Sequence, residues 1–386
     1  MSTLNEIARE FGDACRRTYG AEMSLDQQRV LGLLRACRSG RLGHYEWGCQ
    51  ECHRRHFTPR TCGNRHCPSC QPGRAQEWLA QQVEKLLPVP YFLVTFTLPH
   101  SLHPLIRRHP REVYDALFQA AWGALQAAMA LPRFGGLADI GMTAVLHTWG
   151  RDLRRHVHLH AMVPAGGRRP DGSWWAASPD YLVCVKVLSK FFRGKFRDAL
   201  RKAGLLDQVP SKVWREAFTT DARPNDSGAF GLRYMARYVS RTAISNHRIV
   251  SCLNGQVTYT YTPSKTKTQK RRTLPAAKFL KLFLQHVVPK GLARVRHYGL
   301  LHAGAEQRRE SVREQVATRG EPAVIERFER SRQVVINTCR REMSASVPCC
   351  PDCGSPLLLI DVTYRRDPLG RDDHLVFSEL VYDNTS

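Results

Sequence analysis

Three histidines alternate in the run HVHLHAMVP, at His156, His158 and His160. Side chains on a β-strand repeat every two residues, so all three face the same side. Neighbours at i and i+2 lie about 7 Å apart along the backbone and can converge on one ion, whereas the outer two are about twice as far apart. His158 belongs to either adjacent pair. The pair His158 and His160 is preferred, because Ala161, Met162 and Val163 carry that end toward a core, while His156 sits beside Arg154 and Arg155 at the strand's mouth. A tight site needs a third ligand, and His147, on the preceding strand across the turn GRDLRR, is the best placed candidate. The competing reading is a polar strand face. One histidine would favour it; three at alternate positions with a fourth on the neighbouring strand argue for a metal.

A second constellation is Tyr234-x-x-x-Tyr238, two phenols one turn apart on one helix face. Tyrosines at that spacing usually pack, but Arg233, Arg237 and Arg241 surround this pair, which suits a helix facing phosphates. A phenol is a poor nucleophile at neutral pH. Covalent catalysis becomes available to it when a cation polarises the electrophile.

Cys49-x-x-Cys52 and Cys67-x-x-Cys70, with 14 residues between the pairs, have the two-knuckle spacing of a zinc ribbon. His53, His56, Cys62 and His66 stand close enough to replace a ligand or build a second site, with Cys62 and His66 the leading alternates. Cys350-x-x-Cys353 is half of such a site, with Cys339 and Cys349 as neighbours. The chain has 13 cysteines in 386 residues, an odd count with five crowded between positions 49 and 70, which fits metal binding better than a disulfide framework. The ribbon zinc is expected to be structural. No catalytic role is assigned to it.

These groups need elements to hold them. YFLVTFTLP from Tyr91 reads as a strand ended by proline, and REVYDALFQAAWGALQAAMA from Arg111 as a helix. GMTAVLHTW and HVHLHAMVP read as adjacent strands closed by Gly166 and Gly167. Helical patterns follow from Val185, from Phe230 and around Phe279 to Val287, with a hairpin turning at Asn254-Gly255 between the last two. Residues 4 to 38 read as two helices, the second announced by Ser24 with Gln27 in capping-box spacing. Helices with mixed charges follow residue 304, then a polar tail without a readable pattern.

The balance of 58 Lys+Arg against 34 Asp+Glu leaves a net charge of +24, which points to a polyanionic partner. Lys265, Lys267, Lys270, Arg271 and Arg272, near the hairpin, are candidates for tracking a phosphate backbone. No apolar run approaches the ~20 residues that span a bilayer. The start MSTLNEIARE lacks the build of a signal peptide, so a cytoplasmic protein is expected.

Four blocks in order, NRHCPSCQ (Asn64 to Gln71), LHTWGRDLRRHVHLHAMVPAGG (Leu146 to Gly167), YMARYVSR (Tyr234 to Arg241) and VVPKGLARVRHYGLL (Val287 to Leu301), resemble the two-tyrosine HUH transposases of the insertion sequence 91 type. The resemblance covers most of the chain. It implies an α+β nuclease core, a central antiparallel sheet flanked by helices, with histidines on a middle strand and the nucleophile on a nearby helix. It carries the metal ligands onto His158 and His160 and the nucleophiles onto Tyr234 and Tyr238. Related relaxases place a third histidine eleven positions before the pair, which falls on His147. Val157 stands where proline is expected and Arg151 where glutamine is common.

The expected organisation is an N-terminal helical and zinc-ribbon module (1–84), a catalytic domain (85–303) and a C-terminal helical and tail region (304–386) with a candidate second zinc knuckle at Cys350 and Cys353. The expected activity is cleavage and transfer of single-stranded DNA at transposon ends and into target DNA, through a 5′-phosphotyrosine, with Mg²⁺ or Mn²⁺ at the histidines and Zn²⁺ at the cysteines. The rival readings are a replication initiator or relaxase with the same chemistry, and a zinc-dependent DNA-binding regulator with none.

Overall fold

The computed structural model describes residues 2–71, 74–225, 228–239, 242–263, 266, 268–344 and 348–364. Helices α1 (Leu4–Tyr19) and α2 (Leu25–Ala36) both start on capping boxes, in which Thr3 and Ser24 accept from Glu6 and Gln27, whose side chains return to the cap backbone. Strands β1 (Gly43–Cys49) and β2 (Arg55–Pro59) and helix α3 (Arg74–Val83) follow. The central stretch runs β3 (Tyr91–Thr97), α4 (His103–Arg108), α5 (Pro110–Met129), β4 (Gly141–Trp149), β5 (Arg155–Pro164), the short hairpin β6 (Gly166–Arg168) and β7 (Trp174–Ala176), α6 (Val185–Lys202), β8 (Thr219–Asn225) and α7 (Gly228–Val239). The remainder comprises β9 (Ile249–Leu253), β10 (Gln256–Tyr261), β11 (Lys270–Pro275), α8 (Ala276–Leu284), β12 (Val295–Gly299), α9 (Glu306–Arg319), α10 (Pro322–Ser344) and β13 (Leu357–Tyr364).

The fold is α+β, built on an antiparallel sheet in the order β12-β4-β5-β3-β8, which puts the histidine strand β5 at its centre. Period-two alternation divides the side chains of this sheet. On one face Val94, Phe96, Ala144, Leu146, Val157, Leu159 and Ala161 pack on α5 and α6 through Leu117, Phe118, Phe192 and Phe196. Each large side chain buried there stabilises the fold by about 1.5–3 kcal/mol. That face fixes the strand register, since a slip of one residue would send the histidines into this core. The opposite face carries Tyr91, Val145 and Met162, covered by Ala229, Leu232, Met235 and Ala236 of α7.

A second core joins α1 and α2 to α8 and to the sheet β11-β10-β9, so helices expected to belong to a separate N-terminal module share a core with residues 249–284. The hairpin between β9 and β10 turns at Asn254 (φ 48°) and Gly255 (φ 71°), the pair of left-handed residues a type I′ turn requires. A third sheet, β13-β1-β2, brings the C-terminal strand onto the N-terminal ribbon, and α10 packs on α3 and α7. These contacts run across the expected divisions at residues 84 and 303. Among the described residues no helix is long and apolar enough to cross a membrane.

Candidate active site

The ladder between β4 and β5 pairs His147 directly with His158, and Val145 with His160. The donor nitrogens of His147, His158 and His160 lie within 4.8 Å of one another. The Nε2 atoms of His158 and His160 are 3.2 Å apart. Two nitrogens bound at about 2.1 Å to one ion, with an angle of about 90 to 110° between them, lie about 3.0–3.4 Å apart, so the spacing fits a chelating pair. His158 Nδ1 lies 3.0 Å from the His156 carbonyl oxygen, to which an Nδ1–H donates, leaving the Nε2 lone pair facing the cluster. His160 Nδ1 lies 3.4 Å from Thr95 Oγ1.

The His147 ring stands edge-on to both partners, with centroids 5.1 Å from His158 and 4.9 Å from His160. Its other face stacks on Trp149 at 5.1 Å, and the Arg294 guanidinium lies 5.3 Å from the centroid of the Trp149 ring. Sequence reasoning missed these two supports, because Arg294 comes from the loop before β12 and no spacing connects it to the histidines. Burial, then the neighbouring imidazoles His160 and His156, push His158 down to about 3, and burial followed by His156 pushes His160 down to about 4. Both rings are therefore neutral near pH 7, the form that offers lone pairs. His156, at the strand's mouth, has its ring 4.7 Å from that of His158 and 5.7 Å from that of His100, and is outside the donor group. Val157 is buried on the opposite face of the sheet, so its departure from proline leaves the donors in place.

Helix α7 lies over this same face. Gly228 and Gly231 permit the close approach: a Cβ would sit 2.5 Å from the Tyr91 ring at Gly228 and 3.1 Å from Met162 Sδ at Gly231. Tyr234 is on the helix flank and 40 % exposed, and Arg233 is half-buried. Tyr238 lies one turn further along α7; its side chain and that of Arg237 are outside the described residues, as is Arg241.

Lys270, Arg271 and Arg272 lie on β11, the outer strand of its sheet, opposite Tyr261, Thr260 and Tyr259. Lys265 and Lys267 are outside the described residues. This sheet docks on the turn between β4 and β5, where Tyr259 donates to the Asp152 carbonyl at 3.2 Å and Arg248 to that of Arg151 at 2.6 Å. A basic strand thus adjoins the mouth of the histidine strand. Arg151, exposed on that turn, reaches the Thr262 carbonyl at 3.4 Å.

The cysteines assemble differently from the expected set. Cys49, Cys52, Cys67 and Cys70 do not share one site; the two pairs fall in separate tetrads. Cys67 and Cys70 meet Cys37 and Cys62, with Sγ separations of 3.5 Å (Cys37–Cys70), 3.7 Å (Cys62–Cys70) and 3.7 Å (Cys37–Cys67). Thiolates about 2.3 Å from a tetrahedral ion are about 3.8 Å apart. Asn5 Nδ2 and the Cys62 N–H lie 3.4 Å from Cys67 Sγ and Cys37 Sγ, as donors to thiolates do. Cys62, expected as an alternate, is a full member. Cys37, just past α2, has no nearby cysteine to announce it. His66 is buried beside Arg294, Arg65 and His286 and belongs to neither tetrad. Cys49 and Cys52 face Cys350 and Cys353 instead, and Cys339 and Cys349, the neighbours of that half-ribbon in the sequence, are outside the tetrad. The physical reason is strand pairing: β13 runs antiparallel to β1 and brings residue 357 opposite residue 49.

Comparison with known proteins places a zinc-binding region ahead of the region that holds the histidines. Residues 7–98 match the family described as "Transposase zinc-binding domain", and residues 141–310, which contain the three histidines and α7, match that described as "Putative transposase". The "Putative transposase y4qJ" of Sinorhizobium fredii is 36 % identical over 317 residues, covering 77 % of this chain and 79 % of that protein. The "Transposase for insertion sequence element IS801" of Pseudomonas savastanoi pv. phaseolicola is 29 % identical over 303 residues, covering 73 % and 72 %. No solved structure matches the chain. The chain belongs to the insertion sequence 91 family of transposases. Its activity is therefore that of an enzyme that cuts and transfers DNA, and its N-terminal region is a zinc-binding domain.

Proposed function

We propose that this transposase cleaves and rejoins single-stranded DNA at its element ends and in its target by the HUH mechanism, with the α7 tyrosines as nucleophiles and a 5′-phosphotyrosine as the intermediate. The observation that carries the reading is the convergence of His147, His158 and His160 on the central strands of an antiparallel sheet, beneath the helix that bears Tyr234 and Tyr238. The three nitrogens come from two adjacent strands on one sheet face. They would hold Mg²⁺ or Mn²⁺, which when bound supplies positive charge to the scissile phosphate.

The chain's own groups do the rest. A tyrosine oxygen attacks phosphorus, forming a phosphotyrosyl ester as the bond to the 3′ oxygen breaks; the phenol loses its proton and the departing 3′ oxygen gains one. One phosphodiester is exchanged for another, so rejoining needs no ATP. With two phenols, one can keep the first 5′ end while the other attacks a second strand. Arg233, Arg237, Arg241, Lys265, Lys267, Lys270, Arg271 and Arg272 would grip backbone phosphates. Zinc in the tetrad Cys37, Cys62, Cys67 and Cys70 would be structural, closed by four thiolates with no open position.

The test is incubation with a single-stranded oligonucleotide carrying an element end, followed by denaturing electrophoresis and mass spectrometry of the adduct peptide. A covalent complex at Tyr234 or Tyr238, lost in the Tyr234→Phe, Tyr238→Phe double variant that still binds the strand, is the expected result. An adduct that survives in that variant, or DNA carried at Tyr259 or Tyr261, would overturn the nucleophile assignment. DNA binding with no adduct under any condition would favour a regulator without catalysis.

A further inference from the structure

Cys52 and Cys350 are 298 residues apart in sequence, yet their sulfurs lie 3.6 Å apart, and those of Cys49 and Cys353 3.4 Å apart. The loops that present them are built alike. In the first, the His53 N–H donates to the Cys49 carbonyl at 3.1 Å and the Cys49 N–H to that of Arg54 at 3.0 Å. In the second, the Gly354 N–H donates to Cys350 at 2.9 Å and the Cys350 N–H to Ser355 at 2.7 Å. In both, the residue after the second cysteine is left-handed, with φ 59° at His53 and 78° at Gly354. Glycine adopts that conformation freely, whereas histidine does so only when the surrounding turn demands it. Two copies of one knuckle, from opposite ends of the chain, thus point their thiols at each other.

The sulfur separations approach the ~3.8 Å edge of a zinc tetrathiolate and are far from the ~2.05 Å of a disulfide. Donors surround the cluster. The Cys52 N–H lies 3.5 Å from Cys49 Sγ, and His56 Nε2 lies 3.3 Å from Cys350 Sγ. His56 in turn is 3.6 Å from Asp352, which Arg54 holds at 3.2 Å. Such outer contacts orient thiolate ligands. Among the described residues the apolar core at this junction is only Cys49, Cys350 and Leu357, with Trp47 and Cys52 at its margin, while Leu358, Leu359 and Ile360 of β13 are exposed. A strand with so little to bury needs another tie.

We propose that Cys49, Cys52, Cys350 and Cys353 bind a second structural zinc ion, which fastens the C-terminal strand β13 to the N-terminal ribbon. The pairing closes the chain on itself. Because α10 precedes β13 and packs on α3 and α7, the same ion anchors the segment that backs the tyrosine helix. Phe328, Val335 and Cys339 of α10 share a buried cluster with Leu232 and Met235 of α7.

The test uses the full chain purified without chelator, with metal counted by elemental analysis and backbone protection by amide hydrogen exchange. Wild type should carry two zinc ions per chain, one in each tetrad, and the Cys350→Ser, Cys353→Ser double variant one. Exchange across Leu357–Tyr364 should accelerate about a hundredfold in the variant as the strand opens locally. The Cys49→Ser variant removes the same site from the other end of the chain and should give the same count. One ion in both wild type and double variant, or two in both, overturns the site, as does disagreement between the two kinds of variant. Loss of one ion with exchange unchanged overturns the fastening role.

Discussion

The histidine cluster and the cysteine tetrads could each hold an ion, and they stand at opposite ends of one physical trade. The histidines sit on the two best-buried strands of the sheet, held by the ladder and by a core of phenylalanines and leucines on the other face. Their positions are set by the strand pairing and by that core, which bring His158 Nε2 to face His160 Nε2. The tetrads sit on loops and short strands; Cys49, Cys52, Cys350 and Cys353 have little apolar surface around them, and there an ion would stand in for a core, whereas Cys37 and Cys67 are buried at the edge of the core of α1 and α2. Nitrogen ligands in a rigid frame suit an ion that meets substrate; sulfur ligands on soft loops suit an ion that makes structure. Metal removal should therefore cost the first region activity and the second its fold.

The largest expected effect comes from breaking the rigid region. His158→Ala or His160→Ala should reduce cleavage of single-stranded DNA by roughly a thousandfold, ~4 kcal/mol in the barrier. Binding of the same strand should change little, because phosphate contacts by many cations supply the affinity. His147→Ala should be milder, about ten- to a hundredfold in the metal concentration needed for half-maximal rate, as its ring completes the group without belonging to the close pair. Thermal melting should remain within a few degrees of wild type for all three. A melting point that collapses with His158→Ala would erase the contrast between the regions.

Next comes the soft region. Cys67→Ser should abolish zinc binding at the tetrad with Cys37, Cys62 and Cys70 and unfold the segment around it, because the metal's binding free energy is folding free energy there. Proteolysis should then cut within residues 37–71 while the sheet that carries the histidines resists. Zinc-free wild-type protein with full protease resistance would show that the thiols need no ion.

How much of this was legible follows the same contrast. The histidine group could be read because strand periodicity sets the face and one tight turn sets the register; GMTAVLHTW is β4 residue for residue. The tetrads could not, because Cys49–Cys52 and Cys67–Cys70 have the spacing of a finished ribbon, and only three-dimensional pairing separates them. β13 hid in the tail: LLLIDVTY leaves most of its apolar residues exposed, so its periodicity announces no buried face. β8 hid for another reason. TTDARPN, with Pro224 and Arg223, is a poor strand by composition and is tolerated at a sheet edge. The docking of α7 on the histidine face rests on Gly228 and Gly231, which a propensity argument counts only as weak helix formers.

That docking gives the next test. Gly231→Ala would put a Cβ against Met162 and Asn225, so the helix must lift or the strand must shift, at a cost of about 1–3 kcal/mol. The expected outcome is a lower melting point together with a fall in cleavage rate larger than the loss of stability explains. Adduct formation should slow because the tyrosine helix no longer sits at its distance from the histidine strand. A variant that loses stability and keeps the wild-type single-turnover rate would show that the helix position is not critical.

The smallest effect should come from the basic strand beside the site, and its sign can be read from salt. Lys270, Arg271 and Arg272 occupy an outer strand near the turn that leads to the histidines, and Arg272 also hydrogen-bonds the buried phenol Tyr259. If Arg272 contacts one phosphate of a single strand, Arg272→Ala should reduce the slope of log K against log salt by about 0.7 and weaken binding several-fold at moderate ionic strength. The loss should be nearly the same for every DNA sequence tried, since a phosphate contact carries no base information. Fluorescence anisotropy over a salt series measures both quantities. An unchanged slope would place the strand away from the DNA path and leave Arg272 only its bond to Tyr259, whereas a loss confined to one DNA sequence would mean that the side chain reads a base.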